Sequence, residues 1–153
     1  MDMDTYPPAA FYFEVIFNGQ KNFGDNSFQE VSGLEVEVEI ENINEGGEKD
    51  IVHRLPKSIK YPKNLILKRG VAGTDSSLVK WCREIFETDF SKPVYSKAIS
   101  VHLLDENGLV LHGWSMSNAI PVKWSIFPFH AMKNEIAIEV IEIKYSNLKR
   151  IDV

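Results

Sequence analysis

At 153 residues, 44% hydrophobic and 25% charged, the chain has ordinary globular proportions and the length of one domain with a full core. A lone cysteine, Cys82, excludes an internal disulfide and a multi-cysteine zinc site, and fits a reducing compartment. The net charge of −5 argues against general nucleic-acid binding.

The first residues, Met1-Asp2-Met3-Asp4-Thr5, are acidic and lack the basic and apolar regions of a signal peptide. No apolar run approaches the ~20 residues of a membrane helix. Tyr6-Pro7-Pro8 makes residues 1–10 a stiff, extended lead-in to a single domain spanning 1–153. Phe11 to Phe17, aromatic and branched, reads as a strand ended by Asn18-Gly19. Gly24 to Ser27 is loop, and Ser32-Gly33 punctuates the chain before its clearest strand. In Leu34-Glu35-Val36-Glu37-Val38-Glu39-Ile40-Glu41 the alternation is unbroken. It sends Leu34, Val36, Val38 and Ile40 to one face and Glu35, Glu37, Glu39 and Glu41 to the other. A row of unpaired carboxylates cannot be buried dry, so that face meets water or cations. Asn44 to Asp50 reads as a loop. Ile51 to Tyr61, broken by Pro56 and followed by Pro62, reads as a long ordered loop or short edge pieces. Asn64 to Arg69 is a further strand, stopped at Gly70.

Charge reverses across these segments. Residues 1–50 hold twelve acids and two bases; residues 51–70 hold six bases (Arg54, Lys57, Lys60, Lys63, Lys68, Arg69) and no acid. Residues 71–153 hold ten acids and nine bases. Unlike patches of this kind give register and orientation to a protein that meets copies of itself.

Leu78, Trp81, Cys82, Ile85 and Phe86 follow helical spacing and form one apolar stripe. Asp75 or Ser76 serves as N-cap, and the helix ends near Thr88. Lys80, Arg83, Glu84 and Glu87 fall on its solvated side. Ala98–Leu104 and Leu109–Met116 are strands flanking Asp105-Glu106-Asn107-Gly108, where Asn107-Gly108 signals a hairpin turn. Pro121 to Trp124 is a short strand or edge. In Glu135–Tyr145 the apolar face switches, from Ile136, Ile138 and Val140 to Ile141, Ile143 and Tyr145, which implies a bulge or cover on both faces. The sum is mainly β: seven or eight strands in an antiparallel sandwich or barrel with one flanking helix.

Catalytic signals are thin. His53, His102, His112 and His130 show no metal-ligand spacing, although His102 and His112 lie on the two arms of one hairpin. Cys82 sits on the apolar stripe as a buried thiol rather than a nucleophile. The glutamate row has one spacing and one environment, unlike the differently tuned carboxylates of a glycosidase. Neither a P-loop nor a dinucleotide fingerprint occurs. Trp81, Trp114 and Trp124 read as core or interface anchors; a single-stranded nucleic-acid platform would need more aromatics among the bases than Tyr61. No catalytic residue, metal or cofactor is assigned.

Ser27-Phe28-Gln29-Glu30-Val31-Ser32-Gly33-Leu34-Glu35 resembles the N-terminal signature of the tail-tube proteins of contractile phage tails and extracellular contractile injection systems. The resemblance continues, in order, through Glu45-Gly46-Gly47, His53-Arg54-Leu55-Pro56, Asn64 to Val71, Leu78…Trp81, Leu103 to Gly108, Asn118 to Trp124 and Asn134 to Glu139. It implies a β-barrel-like sandwich with one helix, six copies closing into a ring around a lumen, and rings stacking into a tube inside a sheath. Implied partners are further copies of the chain, the sheath protein, baseplate and spike-hub components, a tube terminator, and a lumenal cargo protein or phage DNA. No membrane anchoring is implied. The implied location is the cytoplasm during assembly, then a virion or released particle. The His-Arg-Leu-Pro and Asn-Leu-x-Leu-Lys-Arg-Gly pieces resemble the baseplate-proximal tube-initiator branch.

Under this resemblance Glu35, Glu37, Glu39 and Glu41 face the lumen. Arg54, Lys57, Lys60, Lys63, Lys68 and Arg69 contact a neighbouring subunit, the sheath or the baseplate. The competing reading is a monomeric small-molecule-binding β-barrel, which requires a closed apolar cavity; an enzyme is the third class.

Overall fold

The computed structural model describes residues 11–17, 27–44, 52–71, 75–127 and 137–152. The expected lead-in at residues 1–10, the loop at 45–50 and His130 lie outside the described residues. Among the described residues eight strands and one helix follow in the order β1 (Tyr12–Phe17), β2 (Glu30–Ser32), β3 (Glu37–Asn44), β4 (Val52–Lys60), β5 (Leu65–Gly70), α1 (Ser77–Phe86), β6 (Lys97–Leu104), β7 (Val110–Phe127) and β8 (Ile138–Ile151). Six of the strands form one antiparallel sheet, β1-β6-β7-β8-β5-β2, and β3 and β4 pair separately. The sheet curls until its ends meet at one bridge: Phe13 and Phe28 exchange both backbone hydrogen bonds, at 2.9 and 3.1 Å. Mainly β with one helix is the class the alternation implied.

The sequence dictates where the core lies. Odd positions of β5 and β8 (Leu65, Leu67, Ile141, Ile143, Tyr145) point inward and are buried with Val15, Val101, Ile99 and Met116. The helix fills the mouth of the curl with Leu78, Trp81, Cys82 and Ile85, and Trp81 meets Phe17 edge-on at 5.3 Å. Its N-cap is Ser76, whose Oγ accepts from Val79 N at 3.2 Å, and its capping residue at the other end is Glu87. Lys80, Arg83, Glu84 and Glu87 are exposed, as the stripe required.

Four elements differ from the sequence reading. The glutamate strand begins at Glu37 rather than Leu34, because the chain bends at 33–36. Gly33 has φ +90°, and a Cβ there would sit 1.8 Å from the Asn64 carbonyl oxygen, so only glycine fits. The stretch taken for loop or edge pieces is a nine-residue strand, β4, that contains Pro56. The short strand at Pro121 belongs to one 18-residue strand, β7, and β8 runs on to Ile151. In the turn before β7 only Gly108 has positive φ; Asp105 organises it, its carboxylate accepting from Asn107 N and Leu109 N at 2.8 and 2.9 Å.

Tyr145 fastens the bend. Its hydroxyl donates to the Gly33 carbonyl at 2.6 Å and accepts from Glu35 N at 3.1 Å. Burial raises its pKa above the ordinary value of 10.0. A raised folded pKa gives stability that is whole below the unfolded value and is lost as pH rises through the folded one. Tyr145→Phe is therefore expected to cost about 1–2 kcal/mol at neutral pH, and to lessen the loss of stability expected of the parent above pH 10. Urea melts at pH 7 and at alkaline pH measure both.

Candidate assembly interface

The two segments of opposite charge are neighbours. β3 and β4 form one antiparallel ribbon, with Glu37 opposite Lys60, Glu39 opposite Ser58 and Asn42 opposite Arg54. The register skips one residue between Ser58 and Pro56, so Lys57 is a bulge that lets β4 carry a proline. The acidic and basic patches are thus not on opposite sides of the subunit. Part of their attraction is spent within the chain: Lys60 Nζ lies 3.1 Å from Glu39 Oε2, where Ser58 Oγ also donates at 3.0 Å, and Lys68 pairs with Glu30 at 3.6 Å.

Directly opposed residues share a face. Val38, Ile59, Ile40 and Pro56 therefore make one face of the ribbon; Glu37, Lys60, Glu39, Ser58, Glu41 and, nearer the tip, Leu55 and Ile43 make the other. Every residue of β4 is exposed, and Ile40 and Ile59 are 46% and 58% exposed. A lone two-stranded ribbon is marginal in water, and an uncovered apolar row of this length marks a contact surface.

A second uncovered feature lies on β7. Its first half pairs with β6 as far as Ala119. From Ile120 to Phe127 it keeps β8 on one side, and no described strand lies on the other. Val122, Ile126 and Phe127 are exposed along this edge. Among the described strands β8 has an open edge too, beyond Ile143 where its pairing with β5 stops. That one carries Lys144, Lys149 and Arg150 and a positive-φ Asn147, the usual devices for keeping an edge unpaired. Of the two, the β7 edge is the one presented for pairing.

The proposed site residues divide. Glu37, Glu39 and Glu41 share the charged face of the ribbon. Glu35 does not join them: it precedes β3, half-buried, in the bend held by Tyr145. Arg54, Lys57 and Lys63 are exposed and, among the described residues, carry no ion pair. Arg69 is a correction. It is 2% exposed, pairs with Glu139 (1% exposed) at 3.3 Å, donates to Ser76 Oγ at 2.9 Å and stacks on Phe28 at 4.4 Å. It holds the subunit together and is out of a neighbour's reach. Strand alternation carried the signal, since Arg69 shares parity with Leu65 and Leu67, and Glu139 with Ile141 and Ile143.

The histidine pair does not form. His102 lies opposite Gly113 and His112 opposite Leu103, so the two rings point to different faces. His102 Nδ1 bonds Glu14 at 3.0 Å; His112 Nδ1 accepts from Arg150 at 2.8 Å. Among the described residues no group of His, Cys, Asp or Glu is arranged to hold a metal ion, and no helix is long and apolar enough to cross a membrane. Cys82 is buried.

The hydrogen bond from Lys60, with that from Ser58, holds the Glu39 carboxyl below its ordinary pKa of 4.5. A depressed value means that the interaction is present at neutral pH and fades as pH falls through the folded pKa. In Lys60→Met, Glu39 is expected to titrate closer to 4.5, as read by carboxyl-carbon NMR, with melting unchanged because both side chains are solvated.

Comparisons with known proteins agree with this geometry. A family model described as T4-like virus tail tube protein gp19 matches residues 9–149. A chain in the 6-fold symmetrised cryo-EM structure of the anti-feeding prophage baseplate is 27% identical, with TM-score 0.70 and coverage of 100% of this chain and 99% of that one. A chain of the PVC extracellular contractile injection system sheath-tube complex, in its extended state, is 24% identical, with TM-score 0.69 and coverage of 99% and 94%. Hcp1 from Salmonella typhimurium shares the fold at 14% identity, TM-score 0.53 and coverage of 92% and 85%. No curated protein matches the sequence.

Proposed function

This chain belongs to the T4-like virus tail tube protein gp19 family, a structural component of contractile tails and injection particles, and from that membership we propose how it builds its tube. Six copies close into a ring by strand addition: the outer edge of β3 in one copy pairs with the open Ile120–Phe127 edge of β7 in the next. The observation that carries this is the pairing of two uncovered features, a solvent-exposed ribbon and an apolar unpaired edge, on one subunit. β3 suits the role better than β4, whose proline and bulge interrupt its backbone. Unlike edges that meet head to tail generate a closed ring, and closure removes the edges that a lone sheet exposes.

In this ring the apolar face of the ribbon packs on the neighbouring copy, and Glu37, Glu39 and Glu41 look into the channel. Arg54, Lys57 and Lys63 contact neighbouring copies, the sheath or the baseplate. We place the ring at the baseplate-proximal end of the tube, a position supported by the 27% identity to an anti-feeding prophage baseplate chain. Its further partners are the sheath protein, the spike hub, the terminator and a lumenal cargo. The subunit is one domain, assembled in the cytoplasm and then carried in the particle.

Light scattering on the purified chain is expected to give about six times 17.5 kDa, and negative stain to show rings of uniform diameter. Monomer at all salt and protein concentrations would sink the proposal. In purified particles, quantitative mass spectrometry is expected to find a few copies against many of sheath; parity with sheath makes it the main tube subunit instead.

A further inference from the structure

We infer that the channel wall is charge-balanced rather than acidic, and that it takes polypeptide cargo of either net charge without holding it. This rests on the ring reading above. If β3 of one copy continues β7 of the next, the sheet β7-β8-β5-β2 and the ribbon become one closed wall. The helix and the β1-β6 half of each subunit lie on the core side of that wall. Six such bodies fit only outside it. The opposite face of the sheet therefore looks inward.

That face is read from the register. Ile66 and Lys68 of β5 and Glu142 and Lys144 of β8 alternate away from the core, and rows across the sheet align Glu30, Lys68, Val140 and Ser125, then Ser32, Ile66, Glu142 and Lys123, with Lys144 one step along opposite Ile120; of these, Val140 is itself buried and Ile120 packs against the core. Signs alternate: Lys68 pairs with Glu30 at 3.6 Å, and Lys123 lies directly across from Glu142. Three lysines stand against two glutamates here, and on the ribbon three glutamates stand against Lys60. Over these rows and the ribbon about one net negative charge per copy remains, +1 on the sheet rows against −2 on the ribbon, and opposites that stand within a Debye length of about 10 Å at 0.1 M salt offset one another. An all-acidic wall would draw in cationic segments and repel anionic ones. A balanced wall does neither.

Ser125→Cys places a reporter on this face without changing its charge, since Cys82 is buried. In rings verified by light scattering, its rate of labelling by a small maleimide is measured with 20-residue polylysine or polyglutamate present at low salt. Both rates are expected to stay within twofold of the peptide-free rate. Adding Lys68→Glu, Lys123→Glu and Lys144→Glu is expected to let polylysine slow labelling at least tenfold. Lys123→Glu with Lys144→Glu, which spares the Glu30–Lys68 pair, is expected to give a smaller slowing in the same direction and covers loss of fold in the triple variant. Slowing by polylysine in the unaltered wall, or none in either lysine variant, overturns the inference. A Ser125→Cys sample with its lysines unchanged that is monomeric before any peptide is added overturns the ring reading itself.

Discussion

Glu139→Ala is expected to remove about 3–5 kcal/mol of folding stability, a large share of the roughly 5–15 kcal/mol that a domain of this kind possesses. Glu139 is 1% exposed and meets two donors from different strands: Arg69 Nε of β5 at 3.3 Å and Trp124 Nε1 of β7 at 2.7 Å. Arg69 in turn reaches Ser76, the N-cap of α1, and stacks on Phe28, the residue that closes the curled sheet against Phe13. One carboxylate therefore ties the helix start, the sheet closure and the presented β7 edge to a single point. Without it a guanidinium and an indole N–H lose their shared carboxylate acceptor, and loss of the countercharge to a buried guanidinium dominates the cost. Arg69→Met alone takes the guanidinium countercharge from the buried carboxylate, to which Trp124 still donates, and is expected to cost a similar amount. Arg69→Met with Glu139→Leu removes both charges together and is expected to recover most of the loss, because a buried pair contributes little net stability over apolar groups of similar volume. Urea melts of the three variants and the parent give the cycle. Single losses under about 1 kcal/mol would show that the pair is dispensable.

Local pattern announced what local physics decides. The helical stripe, the Ser76 cap and the alternation of glutamate with valine and isoleucine depend on residues a few places apart, and each appeared within a few residues of its expected place. What failed depended on partners distant in sequence. β4 reads as loop because proline and five charged or polar residues break its pattern. It is a strand because β3 lies alongside and because a bulge at Lys57 absorbs the irregularity. Charge raised the same difficulty. A −10 segment followed by a +6 segment looks the same in sequence whether the signs meet in one chain or across two. The register shows that β3 and β4, one strand from each segment, meet within one ribbon, which leaves Arg54, Lys57 and Lys63 as the uncommitted cations of the basic segment among the described residues. Burial of Arg69 was legible in the parity of β5, whereas charge alone implies the surface.

Ile40→Asp with Ile59→Asp is expected to dissolve the ring while leaving the subunit folded. Both side chains are about half exposed on the face of the ribbon that ring closure covers. Neither belongs to the buried cluster, so the cost to folding stays within about 0.5 kcal/mol. In the proposed ring the same positions are buried. Covering the exposed half of an isoleucine contributes about 0.7–1.5 kcal/mol, and a carboxylate in its place adds a desolvation cost. Two such changes weaken each contact by at least about tenfold, at 1.4 kcal/mol per factor of ten. Each copy contributes one ribbon, so a closed ring suffers the loss at every contact at once, and monomer is expected at micromolar concentration. Lys80→Glu, on the solvated face of α1, serves as the control and is expected to leave rings intact. Light scattering and a urea melt on each variant separate assembly from folding. Intact rings in the double variant would place the interface away from the ribbon, and a lowered melt would mean that the ribbon supports the subunit rather than its neighbour.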